Sequence, residues 1–309
     1  MRPRFDERDT IFSRMELVPG SQRFQEYYKN NPEKDDVDRS FREAPPGEFS
    51  HHILENQFID ETFGLLADMR QFVRGPVADK LSDISPEEAV VFLKHNALKQ
   101  GAVLTGVTES RENLFYAVRG RGSRYGEPVN RLLPRILVFV FEMDKEEIHQ
   151  APEPRQSAEV VRTYLKAASV ALSAARFIRS LGWEAVAHMD GEAEVVLPPS
   201  AAAAGLGEIG RHGLLVTKKY GSRVRISAVT TNLLLPVDKT ARIVPKGLSA
   251  FCDSCGKCAA ACPAGAISPD AAVNVIGRHV NHEACFSTWK RYGTDCGICL
   301  AVCPFSGIA

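Results

Sequence analysis

Apolar residues return along this chain in two rhythms, one helical and one extended. From about Ser50, HHILENQFIDETFGLLADMRQFV repeats them at helical spacing, which predicts a helix. Ser85-Pro86-Glu87-Glu88 is a capping box with proline at the first helical position, so a second helix opens there and runs to Gly101. AVLTGV then reads as a buried strand. RILVFVFEM, from Arg135 to Met143, reads as another, because β-branched and aromatic residues follow one another without a polar break. Beyond Pro152 and Pro154, Ser157 is placed to cap a long amphipathic helix ending at Gly182, with Val161, Tyr164, Leu165, Ala168, Leu172, Ala175 and Ile178 on its apolar face. Trp183 to His188 is a further strand, and GLLVT and RVRISAVTT flank the turn Tyr220-Gly221 as an expected hairpin.

Helices and strands thus alternate through residues 50–245, which predicts one layered α/β or α+β domain. Residues 1–49 are polar and irregular and predict an extended arm with one short helix near Ser21 to Asn30. LPVDKTARIVPKG reads as the linker into residues 246–309, a segment rich in Ala, Gly and Pro and too small for an ordinary core. Metal is expected to hold it together.

Composition narrows the function classes. Of 309 residues, 38 are basic and 38 acidic, so no global charge draws the chain to nucleic acid or anionic lipid. Hydrophobic content of 44% and charged content of 25% fit an ordinary globular protein and exclude wholesale disorder. No apolar run reaches the length of about 18 residues that a membrane helix needs. The opening MRPRFDERDTIF puts charges where a signal peptide needs an apolar stretch. These features predict a cytoplasmic protein with no nucleic-acid or membrane partner, and in that compartment cysteines serve metals more often than disulfides.

All 8 cysteines lie between Cys252 and Cys303. Cys252-x2-Cys255-x2-Cys258-x3-Cys262-Pro263 follows the bacterial ferredoxin run, in which three closely spaced thiolates serve one cubane and the cysteine before proline serves the other. A second run, Cys285-x10-Cys296-x2-Cys299-x3-Cys303-Pro304, carries a ten-residue gap in place of the usual two. The spacing assigns one [4Fe-4S] cluster to Cys252, Cys255, Cys258 and Cys303 and another to Cys262, Cys285, Cys296 and Cys299. Paired zinc sites are the alternative for two sets of four cysteines, but zinc ribbons do not use the Cys-x2-Cys-x2-Cys-x3-Cys-Pro run. Gly205, Gly207 and Gly210 satisfy GxGxxG, yet PPSAAAA precedes them where a dinucleotide site needs a strand, and no carboxylate follows at the required distance. The glycines mark a close backbone approach, either to a bulky ligand or to a packed helix.

The stretch AGLGEIGRHGLLVTKKYGSRVRISAVTTNL, followed by the two-cluster pattern with its long gap, resembles the cobalamin-dependent reductive dehalogenases. FDERDTIFSRMELVPGSQRFQEYYKNNPE is similar to the amino-terminal region of their cytoplasmic branch. The resemblance implies an α+β fold, with a nitroreductase-like cobalamin-binding core joined to a carboxy-terminal bacterial two-[4Fe-4S] ferredoxin domain. It also implies a base-off cobalamin with no histidine ligand, a small halogenated organic substrate, and a ferredoxin or flavodoxin as electron donor. Tyr164, upstream of Phe177-Ile178-Arg179-Ser180-Leu181-Gly182, matches the family's tyrosine proton donor, and Arg225, with Arg223 beside it, matches the basic residue that steadies the phenolate. His188, Met189 and Asp190, together with Gly205, Leu206, Gly207, Glu208 and Gly210, are expected to face the cofactor. The related epoxyqueuosine reductases use an aspartate donor near the position of Asp190, which keeps a second reductase reading open. An electron-transfer or cobalamin-carrier protein without a substrate is the third.

Overall fold

The computed structural model describes residues 4–238, 248–269 and 280–307. Among these, the strands are β1 (Leu104–Glu109), β2 (Arg135–Glu142), β3 (Ala185–His188), β4 (Glu208–Ile209), β5 (Leu215–Val216) and β6 (Val224–Thr231). Four of them form an antiparallel sheet in the order β1-β2-β6-β3. Side chains alternate across it. Leu137, Phe139 and Phe141 of β2 pack into one core with Val161, Ala168, Ala171, Ala175 and Ile178 of the helix Pro154–Ser180. Ile136, Val138 and Val140 pack into a second core with Ala201 of the helix Leu197–Ala203 and with Leu206 and Leu215. Both faces are covered, which is why the β2 sequence is an unbroken apolar run.

The helices Ile53–Met69 and Pro86–Lys99 lie outside the long helix on the first face. The Ser85 capping box forms as expected, with Ser85 accepting from the Glu88 backbone and the Glu88 side chain accepting from that of Ser85. The long helix begins earlier than the cysteine-poor sequence suggests. Pro154 opens it and Glu153 stands at the N-cap without a side-chain bond, while Ser157 lies buried inside the first turns and accepts a hydrogen bond from Thr294 Oγ1 at 2.6 Å. A proline at the first position needs no N–H partner, so the helix can start there.

The expected hairpin does not form. β5 pairs with β4, and β6 pairs with β2 and β3. Both edges of β6 are taken by longer apolar partners, which leaves none for Leu215–Val216. The arm is also more helical than its polarity implies, with helices Ile11–Met15, Gln22–Asn30 and Asp35–Arg42, the second capped by Ser21. The predicted linker falls mostly outside the described residues.

The cysteine-bearing segment docks on the core at three places. Arg211 is buried and donates to Cys252 O at 2.9 and 2.7 Å and to Asp253 O at 3.1 Å. Arg223 donates to Ser306 O and Met143 O, both at 2.6 Å. At Gly221, φ is +55° and an added Cβ would lie 2.0 Å from Phe305 O, so only glycine fits.

Candidate active site and iron-sulfur ligands

The long gap in the second cysteine run is a helix, His282–Tyr292, closed by Gly293 at φ +78°. It carries Cys285 on a separate element from Cys296 and Cys299. Cys252, Cys255, Cys258 and Cys303 line one small cavity together with Arg211, His212 and Phe305. Burial pushes the Cys258 thiol up to about 11, helped by its neighbours Cys303 and Cys252. Burial likewise lifts Cys285 to about 11, with Cys296 and Cys262 adding to the effect, and Cys299 rises further beside Cys285 and Cys296. The backbone N–H of Ala266 donates to Cys262 Sγ at 3.3 Å.

Beside the second set lies Tyr164. It packs with Val160, Met143, Ile148 and Leu300 and shares that small core with Leu214 and Cys299. The odd-numbered residues of β6 face the long helix, so Arg225, paired with Phe141 across the ladder, is carried over it. The Arg225 guanidinium lies over the Tyr164 ring, 5.0 Å from its centroid. Burial holds the Tyr164 hydroxyl above the ordinary tyrosine value, and Arg225 draws it back. Arg225 itself is poorly satisfied. Its buried Nε has no hydrogen-bond partner, and Nη1 reaches only Val224 O at 3.5 Å.

Two acids and a second arginine act on Tyr164 through their charge. Asp190 and Asp295 each raise Tyr164, and Arg121 lowers it. Asp295 is itself pushed up to about 6 by burial, against the pull of Arg225 and with the help of Asp190. Arg121 is tied to Glu16 of the arm at 2.7 Å, as is Arg70 at 3.3 Å. Arg70 lies flat on Gly191, where a Cβ would come within 2.0 Å of Nη2. The loop carrying Asp190 is pinned from below by Arg119, which donates to Glu192 at 2.7 Å and to Ala193 O.

The remaining expected residues separate. Tyr164 and Arg225 meet, and Asp190 acts on Tyr164 by its charge. His188 does not join them. It pairs with Ala228, so it takes the opposite face of the sheet, where Nε2 meets Thr230 Oγ1 at 2.9 Å and Nδ1 accepts from Glu194 N at 3.1 Å. Burial lowers its pKa to about 3, so the ring is neutral and both nitrogens are committed. Met189 is buried in the helix-side core. Leu206 is buried on the far side with His188. A Cβ at Gly207 would lie 2.4 Å from Val216 O, and one at Gly210 would lie 2.9 Å from both His212 Cε1 and Val216 Cγ2. The glycine motif is therefore shaped by the β4–β5 ribbon, to which Glu208 belongs. Gly205 supplies the positive φ of +75° after the preceding helix. Sequence reading missed Asp295 and Arg121. The first hides beside a cysteine, and the second hides in the RGRGSR stretch, where charge reads as solvated surface.

The 4Fe-4S dicluster domain family matches residues 251–307. Tetrachloroethene reductive dehalogenase of Desulfitobacterium hafniense is 39% identical over 187 residues, covering 56% of this chain and 33% of that protein. Epoxyqueuosine reductase of Lactococcus garvieae is 35% identical over 114 residues, covering 34% of this chain and 30% of that protein. The chain spans about a third of the length of these curated relatives. Among solved structures, the catabolic reductive dehalogenase NpRdhA in complex with 3-bromo-4-hydroxybenzoic acid matches with a TM-score of 0.69 at 25% identity, over 80% of this chain and 37% of that one. No helix among the described residues is long and apolar enough to cross a membrane. The chain is thus a homologue of the reductive dehalogenases, carrying their mixed helix-and-sheet fold with a carboxy-terminal 4Fe-4S dicluster domain and counting the epoxyqueuosine reductases among its relatives.

Proposed function

We propose that this chain is the catalytic part of a cobalamin-dependent reductive dehalogenase, with Tyr164 as proton donor. The observation that carries this reading is the Arg225 guanidinium stacked on the Tyr164 ring in the same small core as Cys299. Cys252, Cys255, Cys258 and Cys303 would hold one [4Fe-4S] cluster, and Cys262, Cys285, Cys296 and Cys299 the other. When bound, the corrinoid supplies the low-valent cobalt that breaks the carbon–halogen bond, drawing on electrons from the clusters. The overall change takes in two electrons and one proton and releases halide.

The chain's own residues manage the proton. Tyr164 keeps it on Oη at neutral pH, because burial disfavours the phenolate in the absence of a substrate. As the proton leaves for the substrate carbon, Arg225 faces the developing phenolate, and its weak existing contacts leave the guanidinium available for that charge. His188, committed to Thr230 and Glu194, has no nitrogen to offer a ligand. A halogenated phenol is the substrate class to try first, given the brominated hydroxybenzoic acid bound by the structural relative. A ferredoxin or flavodoxin would supply the electrons.

The test is anaerobic reconstitution with iron, sulfide and hydroxocobalamin, followed by metal analysis and turnover. The expected content is about eight irons and one cobalt per chain. Tyr164→Phe should retain both cofactors while turnover falls by about 10²–10⁴-fold, the usual worth of a general acid. Parental turnover by Tyr164→Phe would show that the donor is another group. Eight irons without cobalt would leave an electron carrier.

One observation favours a second reading. Asp190 acts on the same residues, raising both Tyr164 and Asp295. It is placed to serve as the donor in an epoxide-reducing relative.

A further inference from the structure

The amino-terminal arm does more than cover the core. Its helices close on His282–Tyr292, the helix that bears Cys285, along the face formed by Glu283, Phe286 and Trp289. Phe286 meets Phe41 edge-on at 5.2 Å and Phe12 edge-on at 6.1 Å, and Trp289 meets Phe12 at 5.5 Å. Beneath them is a buried ion pair. Arg14 grips Asp38 through two bonds of 2.9 and 3.0 Å, with the two side chains 3% and 0% exposed. The same guanidinium reaches out to Glu283 at 2.9 Å, where Lys34 joins it. Tyr28 Oη completes Asp38 at 2.8 Å.

The far end of the helix is held as well. The last carbonyls of a helix lack internal partners, and here the backbone N–H groups of Glu48 and Phe49 donate to Arg291 O and Tyr292 O, both at 2.9 Å. Gly47 permits that approach, since a Cβ there would lie 2.1 Å from Gly293 N. Both ends of the Cys285 helix are therefore fastened by residues 12–49. The first cysteine set, with Cys252, Cys255 and Cys258 on one stretch and Cys303 after the helix Ile298–Ala301, is held differently, by Arg211 at Cys252 O and Asp253 O and by the seat of Phe305 on Gly221, with no residue of the arm in those contacts.

We propose that Phe12, Arg14 and Asp38 are positioning residues for the second cluster, the arm clamping the His282–Tyr292 helix so that Cys285 stays in place as its ligand. The proposal rests on the two-cluster reading. The long gap between Cys285 and Cys296 explains the need for it. Where two-residue spacing lets one tight loop present successive thiolates, a ligand moved eleven positions away must be positioned by something outside the loop. Trp289 carries the clamp along the helix, because it stands one turn beyond Cys285 on His282–Tyr292 and its ring is held by Phe12 at 5.5 Å.

The experiment uses the full chain, reconstituted anaerobically with iron and sulfide, and follows iron release to a chelator. Arg14→Met leaves Asp38 buried without its cation, and Phe12→Ala loosens the aromatic contact while leaving the Arg14–Asp38 pair in place, although it also removes the ring that lies 5.9 Å from the Arg121 guanidinium. In both, about half of the iron is expected to leave at least about tenfold faster than in the parent, with the other half unchanged. Arg14→Lys should restore part of the slow release. A Cys255→Ser companion, lacking one ligand of the first set, identifies the fast half as the second cluster. Unchanged release in Phe12→Ala and Arg14→Met overturns the clamp, as does equal acceleration of both halves or a fast half belonging to the first set. A parent chain that binds well under eight irons fails the two-cluster reading itself, an outcome separate from these.

Discussion

Replacing His188 by Gln should remove a titration that makes the core sensitive to acid. The imidazole is fully buried and its pKa is driven down to about 3, chiefly by burial. In the unfolded chain the same group titrates near 6.5. The folded pKa is the lower one, so its contribution is fully present above about 6.5 and is lost as pH falls through the window between about 6.5 and about 3, where only the unfolded chain takes the proton. Each pH unit inside that window costs about 1.4 kcal/mol, so lowering the pH to 5 should cost about 2 kcal/mol. Glu7 and Glu192, raised by burial, act in the opposite sense and are present in both proteins, so the difference between parent and variant reports the histidine together with its neighbour Glu194. The assay is the urea midpoint by tryptophan fluorescence from pH 7.5 down to 5. The variant should be weaker at neutral pH, having lost a two-sided hydrogen-bond network, but its decline with acid should be shallower by about the amount just given. Parallel pH curves would refute the buried neutral assignment. Loss of cobalt by His188→Gln at neutral pH, with the fold intact, would return His188 to the cofactor.

Two further outcomes are expected. Gly221→Ala puts a Cβ against the Phe305 carbonyl at a positive φ, so it should weaken the seat of the cysteine domain by more than about 2 kcal/mol, visible as a lower unfolding temperature and faster iron loss. Asp190→Asn should leave dehalogenation within about tenfold of the parent if Tyr164 is the donor, whereas a fall as deep as that of a lost general acid would favour the epoxide-type reading.

The parts of this site legible in the sequence are those fixed by short-range geometry. Thiolate spacing is one, since three closely spaced cysteines can reach one cubane whatever surrounds them, and Cys252, Cys255, Cys258 and Cys303 line one cavity. The β2 run is another, because a strand covered on both faces has no polar positions to alternate. What stayed hidden depends on pairing. His188 and Arg225 both stand on strands near the long helix, but the register that sets His188 opposite Ala228 places it on the even face of β6 and so away from Arg225. A one-residue shift would have reversed that result. The hairpin failed for a similar reason, since the turn at Gly221 is real but the edge of β6 is occupied. Ser21 could be recognised as a cap from its neighbours, whereas Phe12 meeting Phe286 joins residues at opposite ends of the chain, beyond any local pattern.

The placement of Tyr164 joins the proton and electron halves of the proposed reaction. A tyrosine buried alone would be a poor acid, because the phenolate it leaves behind has lost its water. Arg225 offsets that loss across the ring face, while Asp190 and Asp295 oppose it. The balance keeps the proton in place at rest and lets it go only to a site where negative charge is already forming. That charge would come from the second cysteine set, and Cys299 of that set shares a core with Tyr164 through the short helix Ile298–Ala301. Asp295 stands at the same junction, one residue before Cys296. A change in charge on the second cluster would therefore be felt by Asp295 and Tyr164 together, so that electron arrival and proton release act on one cluster of side chains rather than on separate sites.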